Sequence, residues 1–303
     1  MAIRFDGKVA IVTGAGGGLG RCHALELAKR GAKVVINDLG GALDGTGGNS
    51  AAAEAVVAEI IAAGGTAIAN GASITDDAGV AHLVKQTMDA FGRADILIAN
   101  AGILRDKSFS KMEMKDFDAV MNVHVMGTVK PAKALWQIFR DQQYGRIVVT
   151  TSSTGLYGNF GQANYGTAKL GLVGLMNTLK LEGARDNIKV NAICPVAATR
   201  MTESLMPPDM LALLKPEFVT PAVVYLASEG APSGMIVSAA AGVFAAARLE
   251  QCEGVRLGTA CTADDVAANF DKIADFSKAQ HYEQGGEMVQ NFFSHLTDKP
   301  IVG

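Results

Sequence analysis

The chain is short of the residues that build metal centres and disulfide frameworks. Its four cysteines, Cys22, Cys194, Cys252 and Cys261, are widely scattered with no Cys-x-x-Cys pair, so neither a zinc site nor a stapled scaffold is indicated, and a reducing compartment is expected. The five histidines form no ligand cluster, and a structural role is expected for each. With a net charge of -3 and no basic block, the sequence argues against a nucleic-acid partner and gives no membrane-surface signal. No run reaches the roughly 18 uninterrupted apolar residues of a membrane span. The longest candidate, Ala239 to Ala247, is short and rich in alanine. The N-terminus enters a strand-like run within eight residues, leaving no room for a signal-type segment, and the chain ends Ile-Val-Gly, which is no peroxisomal address. A cytoplasmic protein with no membrane association is the expectation.

What is present is glycine and apolar residues. With 35 glycines and 49% hydrophobic residues over 303 positions, the sequence implies a globular chain with many tight turns and a sizeable core. Val9 to Thr13 is a short β-branched run that meets a glycine-rich stretch, Gly14 to Gly20, followed by helical spacing to Arg30. That is strand, glycine turn, helix. Such a turn lets backbone amides approach a pyrophosphate, whose charge the helix N-terminus favours. The spacing is T-G-x-x-x-G-x-G, through Thr13, Gly14, Gly18 and Gly20, with Leu19 between the last two. A second strand, Lys33 to Asn37, ends at Asp38, whose carboxylate can accept from an adenosine ribose and would repel a 2′-phosphate. No Lys or Arg occurs between Lys33 and Lys85, so the pattern favours NAD over NADP.

Strands at Thr66 to Asn70, Ile96 to Ala99, Arg146 to Thr151 and Lys189 to Ile193 alternate with helices from Ala51 to Ala63, from Asp76 or Asp77 to Phe91, and from Lys115 to Met126 or on to Phe139. This order predicts a doubly wound α/β fold with a parallel sheet covered on both faces. Cofactor contacts are expected at strand ends: Ser73 and Ile74, then Asn100, Ala101 and Gly102. The stretch from Leu39 to Ser50 reads as a glycine-rich loop, and that from Pro195 to Pro216, rich in Met and Pro, either as a substrate lid or as a surface loop whose methionines fill gaps. We divide the chain into a catalytic domain, residues 1–244, and a helical extension, 245–303. In the extension Thr262 begins like an N-cap, Val266, Phe270, Ile273 and Ala274 keep helical spacing, and Gly286 to Leu296 forms a second amphipathic piece. Its aromatic positions need burial on the main domain or a second subunit.

Thr151 to Gly171 holds the chemistry. Tyr165 and Lys169 are four apart on a predicted helix beginning near Asn164, so they share one face. A phenol with a pKa of about 10 needs roughly 4 kcal/mol to reach neutrality. One cation about 4 Å away at an effective dielectric near 20 supplies about that much. Lys169 is thus expected to make Tyr165 an acid and base near pH 7, with Ser152, after the apolar run Ile147 to Val149, holding a substrate oxygen.

Together the T-G-x-x-x-G-x-G stretch, Asn100-Ala-Gly102, Asn122, Ser152 and Tyr165-x-x-x-Lys169 resemble the short-chain dehydrogenase/reductase family. The resemblance implies a Rossmann-type fold, Tyr165 as general acid/base, Lys169 lowering its pKa and binding the nicotinamide ribose, and Ser152 on the substrate oxygen. It also implies Asn122 supporting a water-linked proton relay, and Ala197, Ala198, Thr199 and Arg200 lining the pyrophosphate and nicotinamide side. Within the family, VVINDLGG, AGILRDKSF, RMTESLMP and the tail from TADDVAANF are similar to the (3R)-hydroxyacyl-CoA dehydrogenase units of β-oxidation enzymes. That implies NAD-dependent oxidation of a 3-hydroxyacyl-CoA thioester by a homodimer. Ala72, Ala99 and Val196 depart from the family pattern and border the expected cofactor groove. A dehydrogenase of 17β-hydroxysteroids or other secondary alcohols is the alternative enzyme, and a nucleotide sensor or scaffold the alternative without turnover.

Overall fold

The computed structural model describes residues 2–42, 44, 51–197 and 213–296. The β-branched runs become β1 (Val9–Thr13), β2 (Lys33–Asn37), β3 (Thr66–Asn70), β4 (Ile96–Ala99), β5 (Gly145–Thr150) and β6 (Ile188–Pro195). Along β1, β4 and β5 every residue is buried, as strands covered on both faces must be. Two further strands have no counterpart in the sequence pattern: β7 (Ile236–Ala240), which runs into the alanine-rich stretch from Ala239 to Ala247, and β8 (Val243–Ala247), which lies within it. Ala241 and Gly242 between them take positive φ values of 49° and 80°, the geometry of a two-residue turn that reverses the chain.

The sheet order is β3-β2-β1-β4-β5-β6-β7-β8, and the pairings from β3 through β7 are parallel. Crossovers run through α1 (Gly18–Lys29), α2 (Ala51–Ala62) and α3 (Asp77–Phe91), the last capped by Asp76, whose side chain accepts from the Gly79 amide. The chain from Met114 onward forms α4 (Met114–Met121), a π turn over Asn122–Met126, and α5 (Gly127–Gln142). The Gly127 amide reaches back to the Asn122 carbonyl, and Pro131, four residues on, has no N–H to return to Gly127. Between β5 and β6 lie α6 (Ser153–Tyr157), which sequence spacing did not suggest, and α7 (Ala163–Glu182).

Strand order reverses between β1 and β4, which leaves a crevice beyond their carboxyl ends. Structural charge lies at the opposite ends. Asp95, just before β4, accepts from the Val9 amide and from Arg93, while the buried Arg146 donates to the Ser228 and Asn187 carbonyls. The main core packs Val12, Val34, Ile36, Ile96 and Ile98 against Leu27 of α1 and Val223 and Leu226 of a helix at Thr220–Leu226.

The chain divides into compact units of residues 1–246 and 247–303. In the second, Thr262 and Asp265 close a capping box, but the helix expected through Ile273 is two short helices, Ala263–Ala268 and Phe270–Ile273, separated at Asn269. A further helix spans Gly285–Ser294. Among the aromatic positions of this unit, Phe270, Phe276, Phe292 and Phe293 are 47–64% exposed in the single chain.

Candidate active site

Thr13 ends β1 and locks the crevice. Its Oγ1 accepts from the amides of Asn100 and Ala101 at 3.1 and 3.2 Å, and the Asn100 side chain donates to the carbonyls of Thr13 and Gly14, both at 3.0 Å. The glycines answer to this closeness. A Cβ on Gly14 would lie 2.7 Å from Ala101 Cα, and one on Gly20 would lie 2.3 Å from the Gly14 carbonyl oxygen. Gly18 sits at φ 52°, and Leu19 tucks against the core. A Cβ on Gly17 would meet nothing within 4 Å. The first turn of α1 carries no acidic residue and Gly17 offers no side-chain cap, so its leading amides are open to an anion. These residues fit the pyrophosphate of a dinucleotide.

Asp38, at the end of β2, turns toward this loop. One carboxylate oxygen accepts from the Gly16 amide and the other from the Gly40 amide, each at 2.7 Å. Below it the buried Asn37 donates to Asn70 Oδ1 at 2.8 Å and to the Ala72 carbonyl at 2.9 Å, fixing the turn that leads to Ser73. The Ser73 hydroxyl pairs with Thr75 at 2.9 Å, and Ile74 is buried against Gly127. Gly102 packs on the His124 ring. Ala197 is buried just beyond β6, whereas Ala198, Thr199 and Arg200, with most of the expected lid, lie outside the described residues.

On the other side of the crevice, β5 delivers Ser152 and α7 delivers Tyr165 and Lys169. Ser152 is extended and caps α6, its Oγ accepting from the Thr154 amide at 3.2 Å, which leaves its hydroxyl hydrogen to donate elsewhere. Lys169 is fully buried, and its Nζ donates to the Thr150 carbonyl at 2.6 Å and lies 5.5 Å from the Tyr165 ring centroid. The expected electrostatics are not what this geometry produces. Burial pushes the Tyr165 phenol up to about 12, and only the Ser152 hydroxyl pulls it back. Burial also drives Lys169 down to about 7, so the cation meant to stabilise the phenolate is itself poorly held as a cation.

Asn122 stands apart. It opens the π turn with an exposed side chain, and no described interaction ties it to Lys169. Sequence reasoning passed over two residues just ahead of Tyr165. Asn164, fully buried, donates to the Arg105 carbonyl at 3.0 Å and accepts from the Tyr165 amide at 2.8 Å. Gln162 joins Asp106 at 2.6 Å to Thr154 at 2.8 Å. Two amides crowded against a tyrosine at a helix start were the available signal. As built, the site can hold a substrate oxygen between the Ser152 and Tyr165 hydroxyls and move one proton there, beside a loop that fits a dinucleotide.

Comparison with known proteins places the chain in a family. A family model described as short chain dehydrogenase matches residues 8–209. Peroxisomal multifunctional enzyme A of Dictyostelium discoideum is 47% identical over 304 residues, which take in 100% of this chain and 68% of that protein. The structure of full-length peroxisomal multifunctional enzyme type 2 from Drosophila melanogaster superposes with a TM-score of 0.81 at 36% identity, covering 97% of this chain and 50% of the other. A 7α-hydroxysteroid dehydrogenase complexed with NADH and 7-oxo glycochenodeoxycholic acid superposes with a TM-score of 0.71 at 30% identity, covering 79% of this chain and 95% of the other.

Proposed function

The chain belongs to the short-chain dehydrogenase family and is an oxidoreductase; from that premise we propose that it oxidises (3R)-3-hydroxyacyl-CoA to the 3-ketoacyl-CoA with NAD. One observation carries the substrate assignment. The family model ends at residue 209, yet similarity to the multifunctional enzyme takes in 100% of the chain and so includes the unit at 247–303. NAD, when bound, supplies the hydride acceptor. Gly14 to Gly20 and the α1 amides bind its pyrophosphate, and Asp38 takes the adenosine ribose hydroxyls. Ser152 donates to the substrate oxygen, Tyr165 removes the hydroxyl proton, and Lys169 holds the nicotinamide ribose. Asn122 would serve a relay to Lys169 only through bridging water, since no described interaction joins the two side chains.

NAD reduction, followed at the nicotinamide absorbance with (3R)- and (3S)-3-hydroxyacyl-CoA of short and long chains beside a hydroxysteroid, tests this. Turnover of the (3R) thioester well above the rest supports the reading. The steroid alternative has its own support in the 30% identity to the hydroxysteroid dehydrogenase, and turnover of the steroid alone would establish it. Silence on every substrate would favour the sensor. For the cofactor, Asp38→Ala is expected to narrow the preference for NAD over NADP; an unchanged ratio of kcat/KM values would mean that another residue selects it. The proposed state is a homodimer, which would cover exposed apolar positions such as Phe270 and Phe276, and light scattering of the purified protein checks it. No helix among the described residues is long and apolar enough to cross a membrane. The proposed compartment is the cytoplasm, although the Dictyostelium relative is named peroxisomal, and recovery of the native protein in a peroxisomal fraction would overturn that.

A further inference from the structure

His124 is buried in the π turn, 2% exposed, and touches both halves of the site. On one side the backbone of Gly102 lies so close that a Cβ there would stand 2.3 Å from the imidazole Cε1. At Ile103 the ring Nε2 lies 2.8 Å from the carbonyl oxygen and 3.2 Å from the amide. The shorter contact fits a neutral ring donating from Nε2 to the carbonyl, because a protonated imidazole would have to be desolvated beside the buried Lys169. On the other side the ring meets Tyr165 nearly perpendicularly, with centroids 5.2 Å apart and planes at 86°. Its remaining nitrogen, Nδ1, is buried with no hydrogen-bond partner among the described residues.

We propose that His124 is a positioning residue: its ring wedges between the Asn100–Ile103 loop and Tyr165 and sets the plane of the phenol relative to the groove where the cofactor binds. The inference rests on the reading of Tyr165 as the acid and base. The π turn supplies the wedge. Without its extra residue, the side chain at 124 would be rotated around the helix, away from Gly102 and Tyr165. The glycine at 102 belongs to the same device, because any larger residue would push the ring into Tyr165.

Two variants separate the ring from its hydrogen bond. His124→Phe keeps a flat ring and loses the Ile103 contact, whereas His124→Asn keeps a donor and loses the ring. Misplacement of a reacting group by about 1 Å costs on the order of 10²-fold in rate. His124→Asn is therefore expected to lose kcat by about that factor with little change in the KM for NAD, and His124→Phe to retain most of the rate. A readout that needs no substrate accompanies this. With 3-fluorotyrosine incorporated, the ¹⁹F resonance missing from Tyr165→Phe identifies Tyr165 among the five tyrosines. That resonance should move and broaden in His124→Asn and stay put in His124→Phe, the other four being unaffected. Wild-type kcat and an unmoved resonance in His124→Asn would overturn the inference. So would His124→Phe behaving like His124→Asn, or changes in all five resonances with an equal loss of NAD affinity. Full activity in Tyr165→Phe would instead refute the underlying mechanism.

Discussion

Lys169 sits in an enclosure that moves its pKa from 10.5 down to about 7, so between those values the unfolded chain holds a proton that the folded chain does not. Stability from this group therefore rises with pH across that window, and below pH 7 the folded state carries the whole cost of the buried charge. Lys169→Met should remove that slope and abolish turnover together; urea unfolding at pH 7, 8.5 and 10 checks it, and identical slopes in both proteins would contradict it. Tyr165→Phe tests the proton transfer more directly. Losing a positioned acid or base costs about 10²–10⁴-fold. The variant should lose rate in that range while binding NAD nearly as before, as isothermal titration would show. The buried lysine thus acts against stability, as expected of a functional group more than of a structural one.

The glycine turn shows, within one element, which glycines serve the fold and which face the ligand. A Cβ at Gly20 collides with the Gly14 carbonyl at 2.3 Å and the Asn100 side chain at 2.6 Å, whereas Gly17 is extended at φ −170° with open space where its Cβ would be. Gly20→Ala should destabilise by about 1–3 kcal/mol through overpacking. Gly17→Ala should leave the melting temperature nearly unchanged yet raise the KM for the dinucleotide; a comparable loss of stability in both variants would refute the distinction. At this scale the sequence was most legible. Strands β1 to β5 are largely β-branched runs near glycines and β6 is one that ends at Pro195, and their ends follow from that contrast. Strands β7 (IVSAA) and β8 (VFAAA) each have only two large apolar residues ahead of small ones, with no alternation strong enough to read, and the helix at Thr220–Leu226 is apolar on nearly every side. The pairing of Tyr165 with Lys169 was visible because four residues make one helical turn. Their electrostatics were not, because burial of both is assembled from β5, α6 and the π turn, which no local spacing encodes.

Across the whole molecule, two buried histidines set the acid limit. His23 contacts the Thr220 hydroxyl at 2.9 Å and is driven by burial from 6.5 to about 3, and His124 is lowered for the same reason. The unfolded chain takes up these protons first, so stability should fall as pH drops below about 6.5 and continue falling toward 3. His23→Gln, which keeps a partner for Thr220 without titrating, should shrink that loss in thermal melts between pH 7 and 4; an unchanged acid slope would assign it to the carboxylates.

The sheet order also has a consequence in time. β1 lies between β2 and β4, and the hydroxyl of Thr13 is satisfied by amides at 100 and 101. On a ribosome adding about 5–20 residues per second, the first strand therefore waits on the order of ten seconds before its inner neighbour exists. Through that interval Val9–Thr13 is an apolar edge with unpaired backbone groups, and the cofactor turn has nothing to close against. Its protection at that stage depends on β2 and on whatever holds nascent chains, so variants that slow the arrival or docking of β4 should fail first as aggregates during synthesis, before any defect in the finished enzyme can be measured.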